Sequence, residues 1–349
     1  MVTIYDVARS AGVSPKTVSR VLNADAPVRA DTRAQVERAM AELGYAPSPA
    51  ARAMRSGRTG LVGLLAGTVS AAPPQGEATG LPDLPILRGI QRTLEAAGLA
   101  LLIADTGGRP DTARAALRAL ARHRVEGLIR VADHHRRLAP LDGAAFVAQV
   151  IANGYDDLGT PAVVPDDRGG MRALMGRILA LGHRRVAYLT LRLGIDATRL
   201  RLEGYREALA AAGLPFDPAL VIQAEPDDPP QDGRLLPEAV DRALALADRP
   251  TAICCGNDRM AIGVYGLLRT RGLRLPEDMS VAGYDDHRTI SEALHPALTT
   301  VTLPYDAMGA LAARLMLARV RGGALPGGER HVVWGDVMWR ASVTAPWNP

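Results

Sequence analysis

From Gly60 onward, apolar runs of strand length alternate with stretches of helix length, and this alternation limits the fold more than any other feature. GLVGLLAG, LALLIADT and VEGLIRV are separated by LRGIQRTLEAAG and TARAALRALARH. Runs that are apolar throughout suit strands covered on both faces, as in a parallel sheet whose connections are helices. The pattern resumes with MRALMGRILALG, RRVAYLT, RLEGYREALAAAG and VDRALALA. It continues through PTAICCGND, a helix from about Arg259 to Arg271, MSVAGYDD, LTTV and DAMGALAARLMLARV. That is more than one sheet accommodates. The expected architecture is therefore α/β, two doubly wound parallel-sheet subdomains with a ligand cleft at the carboxyl ends of the strands. No G-x-G-x-x-G follows the first strand, so a dinucleotide site is not supported.

The first 58 residues read differently. Thr3 can cap a helix whose third residue is Asp6, and Ile4, Val7, Ala8 and Ala11 share one face. Gly12 permits a sharp turn, Ser14 is a good N-cap, and Pro15 takes the favoured first helical position. The second helix, Pro15 to about Leu22, turns Val18, Val21 and Leu22 inward and leaves Pro15, Lys16, Thr17, Ser19 and Arg20 outward. Two short helices joined by a Gly-containing turn make a helix-turn-helix, an all-α DNA-binding head whose second helix enters the major groove. Lys16 and Arg20 carry the donors that read guanine, and Ser14 and Thr17 suit phosphate oxygens. A third helix, about Asp31 to Leu43, ends at Gly44. The following YAPSPAARAMRSGRTG has a helix start at Ser48, too short to persist unless it folds against a partner.

Charge supports this division. Nine Lys/Arg against five Asp/Glu lie before residue 61, which accounts for the whole net charge of +4. A polyanion-binding module concentrates charge in this way. Lys16 is the only lysine in the chain. The two cysteines, Cys254 and Cys255, are adjacent and provide neither a disulfide framework nor zinc spacing. No apolar leader and no run of about 18 apolar residues is present, so a cytoplasmic, nucleoid-associated protein without membrane partners is expected.

The stretch YDVARSAGVSPKTVSRVLN, with AMAELGYAP behind it, resembles the LacI/GalR family of bacterial transcriptional regulators. ALGHRRVAYL, RLRLEGY, TAICCGNDRMAIG, LPEDMSVAGYDD, HPALTTV and WRASVTAP resemble that family's periplasmic-binding-protein-like effector domain. The resemblance implies a homodimer on a pseudo-palindromic double-stranded DNA operator, probed by the second helix and by a hinge helix that orders in the minor groove. It places base readout on Pro15, Lys16 and Arg20, the minor-groove wedge on Met54, and further hinge contacts on Ser48, Ala51, Arg52 and Arg55. Thr3, Tyr5, Arg29 and Thr32 are expected at the DNA backbone. In the body it places a small-molecule effector, expected to be a carbohydrate, on Arg201, Asn257 and Asp285, with Asn153, Asp166 and Tyr284 as further candidates. A guanidinium, an amide and a carboxylate together suit hydroxyl groups. No cofactor, metal or catalytic residue is expected. His134-His135 reads as a solvated helix start, Asp258 and Asp286 as helix caps, and His183 as a loop histidine.

The expected bounds are 1–46 for the head, 47–59 for the hinge linker and 60–349 for the body. Crossings near Leu158, His287 and Arg321 divide the body into 60–158 with 288–321, and 159–287 with 322–349. Two departures from the family bear on the effector. The loop TVSAAPPQGEATGLPDLP is long and lacks aromatics, and Leu303 stands where relatives often have Gln. Tyr155 and Tyr284 are the nearest candidates for a sugar-stacking ring, and a nucleoside effector is the other reading. A solute-binding protein or an α/β enzyme fits the body but leaves the basic head unexplained.

Overall fold

The computed structural model describes residues 2–23, 26–45, 58–67, 83–107, 110–141, 148–227, 235–323 and 329–346. The chain separates into two compact units at Gly60 and Leu61.

The first unit is three helices, α1 (Ile4–Ser10), α2 (Pro15–Asn23) and α3 (Ala30–Glu42). Asp6 Oδ2 accepts from the Thr3 backbone N–H at 2.9 Å and from the Thr3 hydroxyl at 2.7 Å, which starts α1. Gly12, at φ +63°, makes the turn into α2. Val7, Ala8, Ala11, Val18, Val21, Val36 and Ala39 form the small core, edged by Ile4, Val13, Leu22 and Met40.

The second unit holds two parallel sheets. The first contains β1 (Leu61–Ala66), β2 (Ala100–Asp105), β3 (Gly127–Arg137), β4 (Ala148–Tyr155) and β5 (Ala162–Pro165), followed much later by β11 (Arg330–Val333). Their order is β11-β5-β4-β3-β1-β2. Helices α4 (Asp83–Ala96) and α11 (Tyr305–Val320) cover one face through Ile86, Ile90, Leu94, Met308 and Met316. These helices touch backbone to backbone: a Cβ on Gly309 would lie 2.0 Å from the Ile86 carbonyl oxygen. The other face is covered by α5 (Pro110–Arg122), with Leu117 and Leu120 packed on Leu65 and Leu128.

The second sheet, β6 (Val186–Thr190), β7 (Val221–Gln223), β8 (Ala252–Cys255) and β9 (Ser280–Ala282), has the order β7-β6-β8-β9. Helices α6 (Asp167–Ala180) and α7 (Asp196–Ala211) lie on one face; α8 (Leu235–Leu244) and α9 (Asp258–Thr270) lie on the other. The short α10 (Arg288–Ser291) follows β9. A two-stranded antiparallel ribbon, β10 (Thr300–Val301) with β12 (Val337–Met338), completes the unit.

The subdomain boundaries differ from those expected. Residues 162–165 and 330–333 pair with each other in the first sheet, so 159–165 and 329–333 belong there rather than to the second subdomain. Leu294 and Leu298 pack in the core of the second sheet, so the chain returns to the first subdomain only after β10. Strands β5 and β11 are only four residues long, and their pairing spans more than 160 residues, which no local pattern encodes. No helix among the described residues is long and apolar enough to cross a membrane.

Candidate nucleic-acid interface and ligand cleft

In the first unit, Ser14 Oγ accepts from the Thr17 backbone N–H at 3.1 Å and lies 3.0 Å from Thr17 Oγ1, fixing the amino end of α2. Val18 and Val21 are buried, which turns Lys16 and Arg20 to solvent; Pro15, Thr17 and Ser19 are half-buried beside them. Lys16, Arg20 and Arg29 make no ion pair among the described residues, so their charge is available to an outside anion. Tyr5 is 66% exposed on α1, and Thr32 is half-buried at the start of α3. Arg29 occupies the N-cap position of α3 without capping it. Thr3 is exposed and engaged with Asp6. Ser48, Ala51, Arg52, Met54 and Arg55 lie outside the described residues.

In the second unit, a cleft of about 620 Å³ opens between the two sheets. Arg201, Asn257, Asp285 and Asn153 all line it. Arg201, on α7, is nearly buried. Its Nε donates to Asp167 Oδ1 at 2.7 Å, its Nη1 donates to the Gly256 carbonyl at 2.5 Å, and its guanidinium lies 3.7 Å from the centre of the Tyr284 ring. Burial disfavours charge on both Arg201 and Asp167, yet their pairing outweighs it: the carboxyl is held below its ordinary range and the guanidinium above.

Asp285 brings an acceptor to this cleft. Its backbone is fixed by N–H donation to the Val301 carbonyl at 2.8 Å and by acceptance from Leu303 N–H at 3.0 Å. Its carboxylate has no hydrogen-bond partner among the described residues. Burial pushes that carboxyl well above its usual range, with the nearby Arg201 charge opposing. Asn257 caps α9, its Oδ1 accepting from Met260 N–H at 2.7 Å, and keeps its amide donors for the cleft. Asn153 donates to the Ala132 carbonyl at 2.9 Å and keeps its Oδ1. Asn153 (φ +61°), Asp285 (+128°) and Asp286 (+50°) have left-handed backbones; among the described non-glycine residues only Arg124 joins them. Three of these four strained positions therefore line one cavity, as expected where backbone strain serves a site.

Several expectations are corrected. Asp166 caps α6, accepting from Gly169 N–H at 2.9 Å, and does not line the cleft. Tyr284 is fully buried, its hydroxyl donating to the Asp167 carbonyl at 3.1 Å, and it supports Arg201 from behind. Tyr155 also faces elsewhere, with its hydroxyl 2.9 Å from Asp196 Oδ2 and the Arg330 guanidinium 3.5 Å from its ring centre. The tyrosine that lines the cleft is Tyr305, beside Leu303. His134 and His135 are not a solvated helix start; both lie on β3 and line the cleft, within the stretch where that strand's register against β4 shifts between Val131 and Arg136. Asp258 and Asp286 cap no helix end in the expected sense. Asp258 accepts from Thr300 Oγ1 at 2.5 Å and from His287 N–H at 2.7 Å, and Asp286 from Ser291 Oγ at 2.9 Å and Arg340 Nη2 at 2.7 Å. Burial raises the Asp258 carboxyl to about 6 against the pull of those donors. His183 is a fully buried link, 2.7 Å from both Thr251 Oγ1 and the Thr344 carbonyl. Sequence reasoning missed His135, Asp167 and Tyr305; the Asp166-Asp167 doublet before α6 was the available signal for one of them.

Comparison with known proteins fits this geometry. Residues 3–48 match the bacterial regulatory protein lacI family, and residues 175–343 match a periplasmic binding protein-like domain. The HTH-type transcriptional repressor PurR of Vibrio atlanticus (strain LGP32) is 32% identical over 324 residues, 92% of each chain. The ribose operon repressor of Escherichia coli (strain K12) is 34% identical over 328 residues, 92% of this chain and 93% of that one. Among solved structures, the lac repressor dimer bound to operator and the anti-inducer ONPF superposes with TM-score 0.77 at 27% identity, over 99% of both chains. The transcriptional regulator CelR in complex with cellobiose gives 0.67 at 30% identity, over 98% of this chain and 100% of that one. With near-full-length relatives above 30% identity, a helix-turn-helix head and a two-sheet body, the chain belongs to the LacI family of bacterial transcriptional regulators, DNA-binding proteins rather than enzymes.

Proposed function

We propose that the protein is a repressor that binds a pseudo-palindromic operator as a homodimer and responds to a carbohydrate held in the cleft between its two sheets. Lys16 and Arg20 read base edges at the amino end of α2, with Pro15 and Ser19 beside them. Ser14, Thr17, Thr3, Tyr5, Arg29 and Thr32 hold the DNA backbone, while Ser48, Ala51, Arg52, Met54 and Arg55 serve the minor groove. In the cleft, Arg201, Asn257 and Asp285 bind hydroxyl groups, and Asn153 accepts from one more.

The observation that carries the effector reading is the Asp285 carboxylate: it lines the cleft, has no donor among the described residues and sits on a strained backbone. A pair of vicinal hydroxyls supplies the donors it lacks. Tyr305 lines the same cleft, an aromatic residue of the kind that packs against a sugar's C–H groups. The relatives named above include a ribose operon repressor and a cellobiose complex, which agrees with this class.

A thermal-shift screen of the full chain against pentoses, hexoses, disaccharides, sugar phosphates and nucleosides tests the reading. The expected result is stabilisation by a neutral sugar that Asp285→Asn removes. Stabilisation by nucleosides alone, or a sugar shift unchanged in Asp285→Asn, overturns it.

A further inference from the structure

The carboxyl end of β3 reaches across the cleft. Its pairing with β4 runs regularly to Val131, shifts register, and resumes at Arg136. Asp133, His134 and His135, within the shifted stretch, all line the cleft. All three touch the opposite subdomain, Asp133 Oδ2 lying 3.5 Å from Arg192 Nη2. His134 Nδ1 is 2.9 Å from Arg192 Nη2, just beyond β6, and His135 Nδ1 is 2.7 Å from Asp167 Oδ2, at the start of α6.

The His135 contact bears on the ligand-facing arginine. Asp167 divides its carboxylate: Oδ1 takes Arg201 Nε and Oδ2 takes His135, each at 2.7 Å. The three side chains are 0 to 6% exposed. Held by Arg201 alone, a carboxylate keeps a torsional freedom that a second donor on its other oxygen removes, and the guanidinium plane follows the carboxylate plane. Arg201 and Asp167 belong to one subdomain, whereas His135 belongs to the other and reaches Asp167 only when the two are close.

We propose that His135 is a positioning residue of the ligand cleft. From the first subdomain it locks Asp167, and through Asp167 it orients Arg201, so the effector arginine is set for a ligand only when the cleft is closed. The proposal rests on the reading of this cleft as the effector site. It adds that closure and readiness to bind are one event, joined at a single imidazole donor. Tyr188 and Tyr284 lie near Asp167, but neither gives its carboxylate a second donor among the described residues.

The test contrasts two amides that differ in reach. Asparagine places its nitrogen where His Nδ1 lies; glutamine places it one carbon farther out. Full-length protein is spin-labelled at Arg118→Cys on α5 and Ala210→Cys on α7, both exposed positions, while native Cys254 and Cys255 are buried. Pulsed dipolar distances are recorded without any ligand in wild type, His135→Asn, His135→Gln and His135→Leu. Wild type and His135→Asn are expected to share one distance distribution. His135→Gln and His135→Leu should lose about tenfold in the ratio of closed to open forms, the amount a hydrogen bond to a charged group supports. The Arg201 Nε–H resonance, assigned by its loss in Arg201→Lys, should stay slow to exchange in His135→Asn and become fast in His135→Gln.

Equal distributions in wild type and His135→Leu, or identical behaviour of His135→Asn and His135→Gln, overturn the proposal. If His135→Leu does not fold, the Asn–Gln contrast decides alone. No carbohydrate enters the measurement, so failure of the sugar reading leaves this contrast standing, and loss of the contrast leaves an Asp285-dependent sugar shift standing.

Discussion

The head and the body use charge in opposite ways. In the head, Lys16, Arg20 and Arg29 are exposed and unpaired among the described residues, above a core of small aliphatic side chains. Charge there is kept solvated for an external polyanion, and its removal leaves the helices intact. In the body, Arg201, Asp167 and His135 are almost wholly buried, each satisfied by the next. There the charges are part of the packing, and removing one strands the others. Surface charge can vary without unfolding the head, whereas the charged groups at the body's cleft are tied to its stability.

The largest effect that tests this contrast is Asp167→Ala. It leaves a buried guanidinium without its carboxylate and is expected to cost the body about 3–5 kcal/mol in urea unfolding. A loss under 1 kcal/mol would place the triad among solvated charges and dissolve the distinction. Arg20→Ala comes next. It should cost roughly 1–3 kcal/mol of discrimination between matched and scrambled operator in gel shifts, while stability moves by less than about 0.5 kcal/mol. Equal loss on both DNAs sinks the base-reading role.

Asp258 sharpens the contrast through pH. Its carboxyl is raised to about 6 by burial, above the unfolded value of 3.8, so the native state holds its proton more tightly than the unfolded chain. That contribution is fully present below pH 4 and is lost as pH rises through 6, an amount of about 1–3 kcal/mol. Chemical denaturation at pH 5 and pH 7.5 should show the loss in the native chain and a flatter dependence in Asp258→Asn. The smallest effect is in the head, where Thr3→Ala removes the hydroxyl that Asp6 accepts and should lower head stability by about 1 kcal/mol. Native-state hydrogen exchange over residues 4–10 measures it.

Legibility followed the range of the interactions. Ser14 capping α2, the Thr3–Asp6 exchange and the inward valines are contacts within four residues, so spacing alone exposed them. Arg201, Asn257 and Asp285 were found through resemblance, and the fold brings them into one cavity. Asp166 and Tyr284 carry the right chemistry but point into a helix cap and a buried stack. The His134-His135 pair misled because the stretch where β3 slips register against β4 is polar, as a helix surface is.

By itself the sequence determined the two-part organisation, the helix-turn-helix and the α/β class, because capping, turns and hydrophobic period are local properties of the chain. Only the tertiary structure decided that residues 162–165 and 330–333 share a sheet, that His135 meets Asp167, and that Tyr305 rather than Tyr155 faces the cleft. Those facts depend on which strands become neighbours and where β3 slips its register against β4. Both are settled by packing between segments distant in sequence, where no periodicity is available to read.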